Sequence, residues 1–396
     1  MQLSTKSIID SLFGYLLIAV CFVILPSYIL HYYINIDINT IYAATVVPSL
    51  LISIRAAGWK IERRVLVVIV SLNIFGIIGS LFSGALSQIL MTLSLTINLI
   101  VASCGRQTFS NPRMLRALNI FAITLVAGAA FAYVYAFAGG QPIAEIRLFS
   151  RPTYLYLTTF TNAIRGDLIR AAGIFDEPGA LAMYITVIVA LNEIYKENKK
   201  LSGYLLFGGL VTGSFALLFI VIAYLFVKLK KANLIYLVLT LSLIGVLVNS
   251  DSRFQQLAED FFLTRVEVVD GRLSGDNRTH QVEEFLNLVN WDITLKGTKA
   301  SDQTYPEHDG SSNPFSIYEG YGIFVWLPYL FLQLWLAYCA IFYRTELRFP
   351  AVAIFLTLLQ RPYLYSMYWG MMISVVVVSI YIVQREKTNP KPAGGR

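Results

Sequence analysis

The chain is short of charge. Aspartate, glutamate, lysine and arginine make up 14% of its 396 residues, against about a quarter in an ordinary soluble domain. That excludes a single soluble globular body. Only three cysteines occur, Cys21, Cys104 and Cys339, each within an apolar run. They offer no disulfide framework and behave as small apolar residues. Three scattered histidines, no paired cysteines and no Asp-rich loop leave no metal-ligand spacing, so neither a metal nor another cofactor is expected. Walker and GxGxxG sequences, a basic–aromatic pattern for nucleic acid and an internal repeat are lacking too.

What is there is apolar. Hydrophobic residues make up 56% of the chain and the mean hydropathy is +0.63. Runs long enough to cross a bilayer as helices recur throughout, which predicts an all-α, polytopic membrane protein. Spans are expected at 9–30, 38–54, 65–83, 86–104, 117–138, 178–194, 203–214, 215–227, 232–249, 321–343, 349–360 and 363–383. The first is long and lacks a small-residue processing site, so it is expected to be retained. Residues 1–396 thus form one integral membrane domain of about 12 transmembrane helices, interrupted by polar loops at 139–177 and 250–320 and followed by a tail at 384–396.

Short loops set the orientation. Arg55, Lys60, Arg63 and Arg64 follow the second span, and Arg106, Arg113 and Arg116 follow the fourth. Lys196, Lys199, Lys200, Lys228, Lys230, Lys231, Arg344, Arg348, Arg385 and Lys387 fall on the same side. Short basic loops stay in the cytoplasm, so both termini are expected inside and both large loops outside. The basic clusters that flank 203–227 both need the cytoplasm. A short hairpin with its tip at Gly213-Ser214 satisfies them, because arms of about 12 residues rise only roughly 18 Å.

The outer charges differ in kind. Nine of the eleven basic residues placed outside are arginines, whose planar fork suits bidentate binding of phosphate or carboxylate. Residues 165–179, RGDLIRAAGIFDEPG, pack two arginines and three acids between apolar spans. Gly173 permits a sharp turn, and Pro178 suits the first turn of the next helix. Glu177 then sits at that helix's positive end, which favours its ionised form. Asp176 reads as a partner of the same helix dipole. In the second loop, 251–262 reads as an amphipathic interfacial helix. A turn-rich segment carries Arg272 and Arg278, Val282, Phe285, Leu286 and Val289 mark a second amphipathic helix, and Gly297 breaks the chain before His308-Asp309.

The order Arg278, helix, Gly297, His308, then Gly320-Tyr-Gly322 opening a span resembles the large external loop of the O-antigen polymerases and ligases. RAAGIFDEPG at 170–179 resembles the polymerase (Wzy) form of the preceding loop. The likeness, which includes the twelve-span plan with two large periplasmic loops, covers most of the chain. Two positions depart from it. Asp309 replaces the usual Asn or Ser, and Gly213-Ser214-Phe215 lacks the arginine often found at the hairpin tip.

The resemblance implies a GT-C-like, metal-independent glycosyltransferase in the bacterial inner membrane with its active site facing the periplasm. It would polymerise undecaprenyl-diphosphate-linked oligosaccharide units into O-antigen or a related surface polysaccharide, with a chain-length regulator protein as a possible partner. Arg165, Arg170, Arg272, Arg278 and Arg361 are the expected diphosphate ligands, since the leaving group's charge needs fixed cations. Glu177 and His308 are the candidate bases for the acceptor hydroxyl. Tyr154, Tyr156, Tyr305, Tyr363, Tyr365 and Trp369 are candidate sugar platforms, against the simpler reading of an interfacial aromatic belt. A ligase acting on a lipid A core and a polysaccharide or lipid transporter are the alternatives. Transport sites place ionisable groups near mid-membrane, whereas here the charge gathers at one surface.

Overall fold

The computed structural model describes residues 15–16, 19–24, 27, 61–148, 151–162, 164–165, 168–175, 177–228, 268–269, 272–273, 283, 285–287, 289–300, 313–343 and 345–388. The expected spans at 38–54 and 232–249, the helix at 251–262 and the tail beyond 388 lie outside these residues. So does most of the span at 9–30, of which a π-helical turn, Val20–Ile24, is described.

The described chain is mostly helical. Its helices are α1 (Arg63–Ser83), α2 (Ser87–Cys104), α3 (Arg106–Phe109), α4 (Pro112–Phe137), α5 (Pro178–Tyr195), α6 (Lys199–Gly209), α7 (Phe215–Lys228), α8 (Trp291–Lys296), α9 (Ser316–Tyr321), α10 (Ile323–Phe342), α11 (Thr345–Gln360) and α12 (Met367–Thr388). Among the described residues six helices are long and apolar enough to cross a membrane: α1, α2, α4, α5, α10 and the stretch Trp369–Glu386 of α12. The chain is a multi-pass membrane protein. Local signals fix several ends. Asn111 caps α4 by accepting from the Arg113 amide at 2.9 Å, with Pro112 in the first turn. Helix α12 runs on to Thr388, five residues into the expected tail.

Helix α5 is the centre of the bundle. It is 94% buried inside the protein, against 28% for α1, α4 and α10, and it packs on α4, α6, α7, α11 and α12. Burying a helix on all sides leaves its polar groups dependent on protein partners. Asn192 meets this need by exchanging hydrogen bonds with Asn119 of α4, at 2.9 and 2.7 Å.

Ion pairs gather at the end of the bundle where α5 finishes, the basic end. Glu62 pairs with Arg385 at 2.8 Å and Lys196 with Glu346 at 2.8 Å. Arg106 pairs with Glu386, and Lys228 with Glu193. The last of these closes a short helical hairpin. Helix α6 leaves from just beyond α5, a 3-10 turn (Leu210–Thr212) and Gly213 reverse the chain, and α7 returns to Glu193. Lys200 and Lys228 therefore share the basic end.

At the opposite end, here called the loop end, the mostly helical chain also carries a few short strands. Residues 144–161 form an antiparallel sheet of β1 (Ala144–Leu148), β2 (Arg151–Tyr156) and β3 (Thr159–Thr161), in that order. Ile146 lies opposite Thr153 and Leu155 opposite Phe160. Isoleucine, threonine, tyrosine and phenylalanine suit a half-buried pleated surface, and Ile146 and Phe160 are buried here. Two-residue ladders follow, β4 (Ile164–Arg165) with β5 (Leu168–Ile169), and β6 (Val268–Val269) with β7 (Arg272–Leu273).

Candidate functional site

The RAAGIFDEPG segment is anchored by its apolar members. Ala171, Ala172 and Phe175 are fully buried, and Phe175 lies between the rings of Tyr184 and Trp369, 5.5 and 5.9 Å away. The Thr159 hydroxyl of β3 accepts from the Ala172 and Gly173 amides at 3.1 and 2.6 Å. Gly173 takes φ +64°, the left-handed turn that favours glycine. The segment is thus pinned between its charged ends, Arg170 and Glu177, both of which are only partly buried.

Glu177 is the N-cap residue of α5, as its place before Pro178 implies. Its carboxylate does not cap the helix. It pairs instead with the guanidinium of Arg361, 184 positions away, just past α11. Arg361 is 8% exposed and stands over the Tyr363 ring, 5.7 Å from its centre. Gly179 makes the room. A Cβ there would lie 2.3 Å from Nη2 of Arg361, so a side chain at 179 and the guanidinium cannot coexist in this arrangement.

The corner that presents Arg361 is held from below. The Tyr365 hydroxyl donates to the Val325 carbonyl at 2.5 Å, and Ser94 Oγ donates to the Tyr365 carbonyl at 3.2 Å. On the other side, Arg170 Nε donates to the Thr212 carbonyl at 3.3 Å, at the tip of the α6–α7 hairpin. Three segments far apart in sequence, the first loop, the hairpin tip and the α11–α12 corner, therefore meet at the loop end through arginine contacts.

A second construction lies on the other flank of that end. Gln88, fully buried at the start of α2, donates from one amide nitrogen to the Lys296 carbonyl at 3.0 Å and the Tyr321 carbonyl at 2.9 Å. These are the last residues of α8 and α9, whose carbonyls have no partner inside their own helices. One side chain thus finishes two helices. Gly297 and Gly322, at φ +77° and +78°, let the strands of this neck touch. A Cβ on Gly297 would fall 2.5 Å from the Gly320 backbone, and one on Gly322 would fall 2.6 Å from the Leu295 carbonyl oxygen. The chain leaves the neck after 297 and returns to it at 320. Thr298 Oγ1 donates to the Glu319 carbonyl across the neck at 3.0 Å. Phe285, a member of the expected second amphipathic helix, is buried against Tyr318, whereas Leu286 is exposed.

Of the site residues expected from sequence, Glu177 and Arg361 are in contact and Arg170 is at the hairpin tip. Arg165 and Arg272 are described in backbone only, in β4 and β7; their side chains, with Arg278 and His308, lie outside the described residues, as does Asp176. Among the candidate sugar platforms, Tyr365 and Trp369 are buried in the core, which leaves them no open face. Tyr305 is outside the described residues. Burial, then the neighbouring Tyr154 and Tyr135 hydroxyls, push the Tyr156 hydroxyl up from its ordinary pKa. Gln88, Thr212 and Gly179 were not among the expected residues. An apolar cavity of about 490 Å3 lies between α1, α2, α10 and α12, from Arg64 and Tyr381 to Leu364; no expected site residue lines it. Comparison with protein-family models, curated proteins and solved structures found no match.

Proposed function

We propose that the chain is a membrane glycosyltransferase of the O-antigen polymerase type, which joins undecaprenyl-diphosphate-linked oligosaccharide units at the periplasmic face of the bacterial inner membrane. One observation carries the reading: Arg170 and Glu177 of the first loop meet the hairpin tip and Arg361 of the α11–α12 corner at one end of an apolar bundle. An anionic lipid diphosphate requires cations there, beside a scaffold that accepts its polyprenyl tail. Arg170 also bears on the departure noted at the hairpin. The tip has no arginine of its own, and the first loop brings one to it.

In the proposed reaction the acceptor sugar's hydroxyl oxygen attacks the anomeric carbon of the donor. A new glycosidic C–O bond forms and the bond from that carbon to the diphosphate oxygen breaks. Undecaprenyl diphosphate leaves with the electron pair, and the hydroxyl proton passes to a base. Glu177 takes that role, with His308 as the second candidate. Arg361 and Arg170 hold the diphosphate, with Arg165, Arg272 and Arg278 completing the set.

Deleting the gene and examining the surface polysaccharide tests the proposal. Loss of long chains with single-unit caps retained is the expected result. Loss of every cap would assign a ligase, and an unchanged glycan would exclude both activities.

A further inference from the structure

The contact that closes the candidate site is itself an anion seated on an arginine. The Glu177 carboxylate meets Nη1 of Arg361. Gly179 forms one wall of the guanidinium's slot and the Tyr363 ring another. Exposure across the pair is uneven: the Arg361 side chain is 9% exposed and that of Glu177 30%. Anything arriving from solvent therefore approaches on the carboxylate's side. Guanidinium forks bind carboxylate and phosphate oxygens in the same way, and a buried cation that loses one counter-ion requires another.

We infer that Glu177 holds the place of a phosphate. The diphosphate of the lipid-linked donor exchanges with the Glu177 carboxylate on Arg361, and the carboxylate so released becomes the base for the acceptor hydroxyl. The inference rests on the glycosyltransferase reading above and adds an order of events to it. While paired with Arg361, the carboxylate spends lone pairs on the guanidinium and is a poor proton acceptor. Donor binding frees it. When the acceptor oxygen bonds to the anomeric carbon, the diphosphate departs on Arg361 and the proton goes to Glu177. Release of undecaprenyl diphosphate and loss of that proton to water return the carboxylate to the arginine. The base is thus available only while a donor is bound, so the donor binds before the acceptor is activated.

The test uses the full chain in lipid nanodiscs, with inorganic pyrophosphate and undecaprenyl diphosphate as probes and calorimetry as the readout. Glu177→Gln removes the competing charge and keeps the shape. It should bind both probes about tenfold more tightly than the unaltered protein, the scale of a partly buried charge contact, while forming no polymer. Arg361→Gln should weaken both by at least as much. Equal or weaker binding by Glu177→Gln, with the unaltered protein still binding, would overturn the exchange and leave the glycosyltransferase reading standing. Binding by neither form would overturn the exchange and remove the diphosphate site as well. A second measurement needs no variant. Infrared difference spectra of the unaltered protein should show a carboxylate band shifting when pyrophosphate is added, and a static band would refute the exchange.

Discussion

Replacing Gln88 by methionine keeps the side chain's length and nearly its volume and removes both donors that finish α8 and α9. The Lys296 and Tyr321 carbonyls, 3.0 and 2.9 Å from that nitrogen, would then face the interior without it. Leaving one buried polar group unsatisfied costs about 1–3 kcal/mol, so the pair costs roughly 2–6 kcal/mol. That cost falls on the neck rather than the whole bundle. It should appear as easier local opening of the segments on either side of Gly297 and Gly322. At the low end, about 2 kcal/mol corresponds to roughly thirtyfold faster amide exchange. Hydrogen-exchange mass spectrometry in nanodiscs would read it at the Gly297 and Gly322 amides, which donate to Ile293 and Tyr318 carbonyls at 2.8 Å. Thr92→Val, one turn along α2, is the control, because the Thr92 hydroxyl donates only within its own helix, to the Gln88 and Ile89 carbonyls. Unchanged exchange across 291–300 and 316–322 in a folded Gln88→Met protein would refute the capping role.

Gly179→Ala should drive the Arg361 guanidinium off Glu177, since the added Cβ would fall 2.3 Å from Nη2. The expected outcome is normal protein level with polymer formation lowered about tenfold or more, the scale of one lost charge-assisted hydrogen bond; a normal glycan ladder on complementation would contradict it. Arg170→Ala should loosen the hairpin tip, so that a Ser214→Cys reporter, buried when Arg170 bonds to Thr212, labels faster; equal rates would count against the link. Asn119→Leu should cost about 1–3 kcal/mol by stranding Asn192, and Asn119→Leu/Asn192→Leu should recover part of it in thermal unfolding. No recovery would mean that packing rather than the bond is at stake. Cysteines at Lys200 and Lys228 should label from one side of the membrane, because both lie at the basic end; labelling from opposite sides would break the hairpin.

Where the structure follows local signals, it was legible in the sequence. Pro178 opens α5, Gly213 turns the hairpin, and the short arms between Lys200 and Lys228 match α6 and α7, because each depends on neighbours in the chain. The sheet at 144–161 has a weaker local signal. Its β-branched and aromatic residues carry the signal, but Pro152 and the polar surroundings read as loop. The Glu177–Arg361 pair joins positions 184 apart, and nothing in either local sequence encodes the other. Gln88 was less visible still, for its partners are backbone carbonyls 208 and 233 positions away, which any residue type presents. Arg361 belongs to the expected arginine set, whereas the slot that Gly179 leaves for it lies between segments far apart in the chain and has no local signal.

The buried pair of Glu193 and Lys228 bears on how the chain is made. Glu193 has no exposed side-chain surface, and a buried carboxylate left without its counter-ion is costly. During synthesis α5 emerges 35 residues before its counter-ion. Helices α6 and α7, of 11 and 14 residues, rise only about 16 and 21 Å and cannot cross a core of about 30 Å alone. The hairpin therefore cannot cross by itself, and residues 178–228 form one packed unit in which α5 is the spanning member. The same unit carries Glu177 at its threshold and Thr212 at its tip, so two of the three segments of the candidate site belong to it. The third waits until α11 delivers Arg361, which makes closure of the site a late step in the protein's biogenesis.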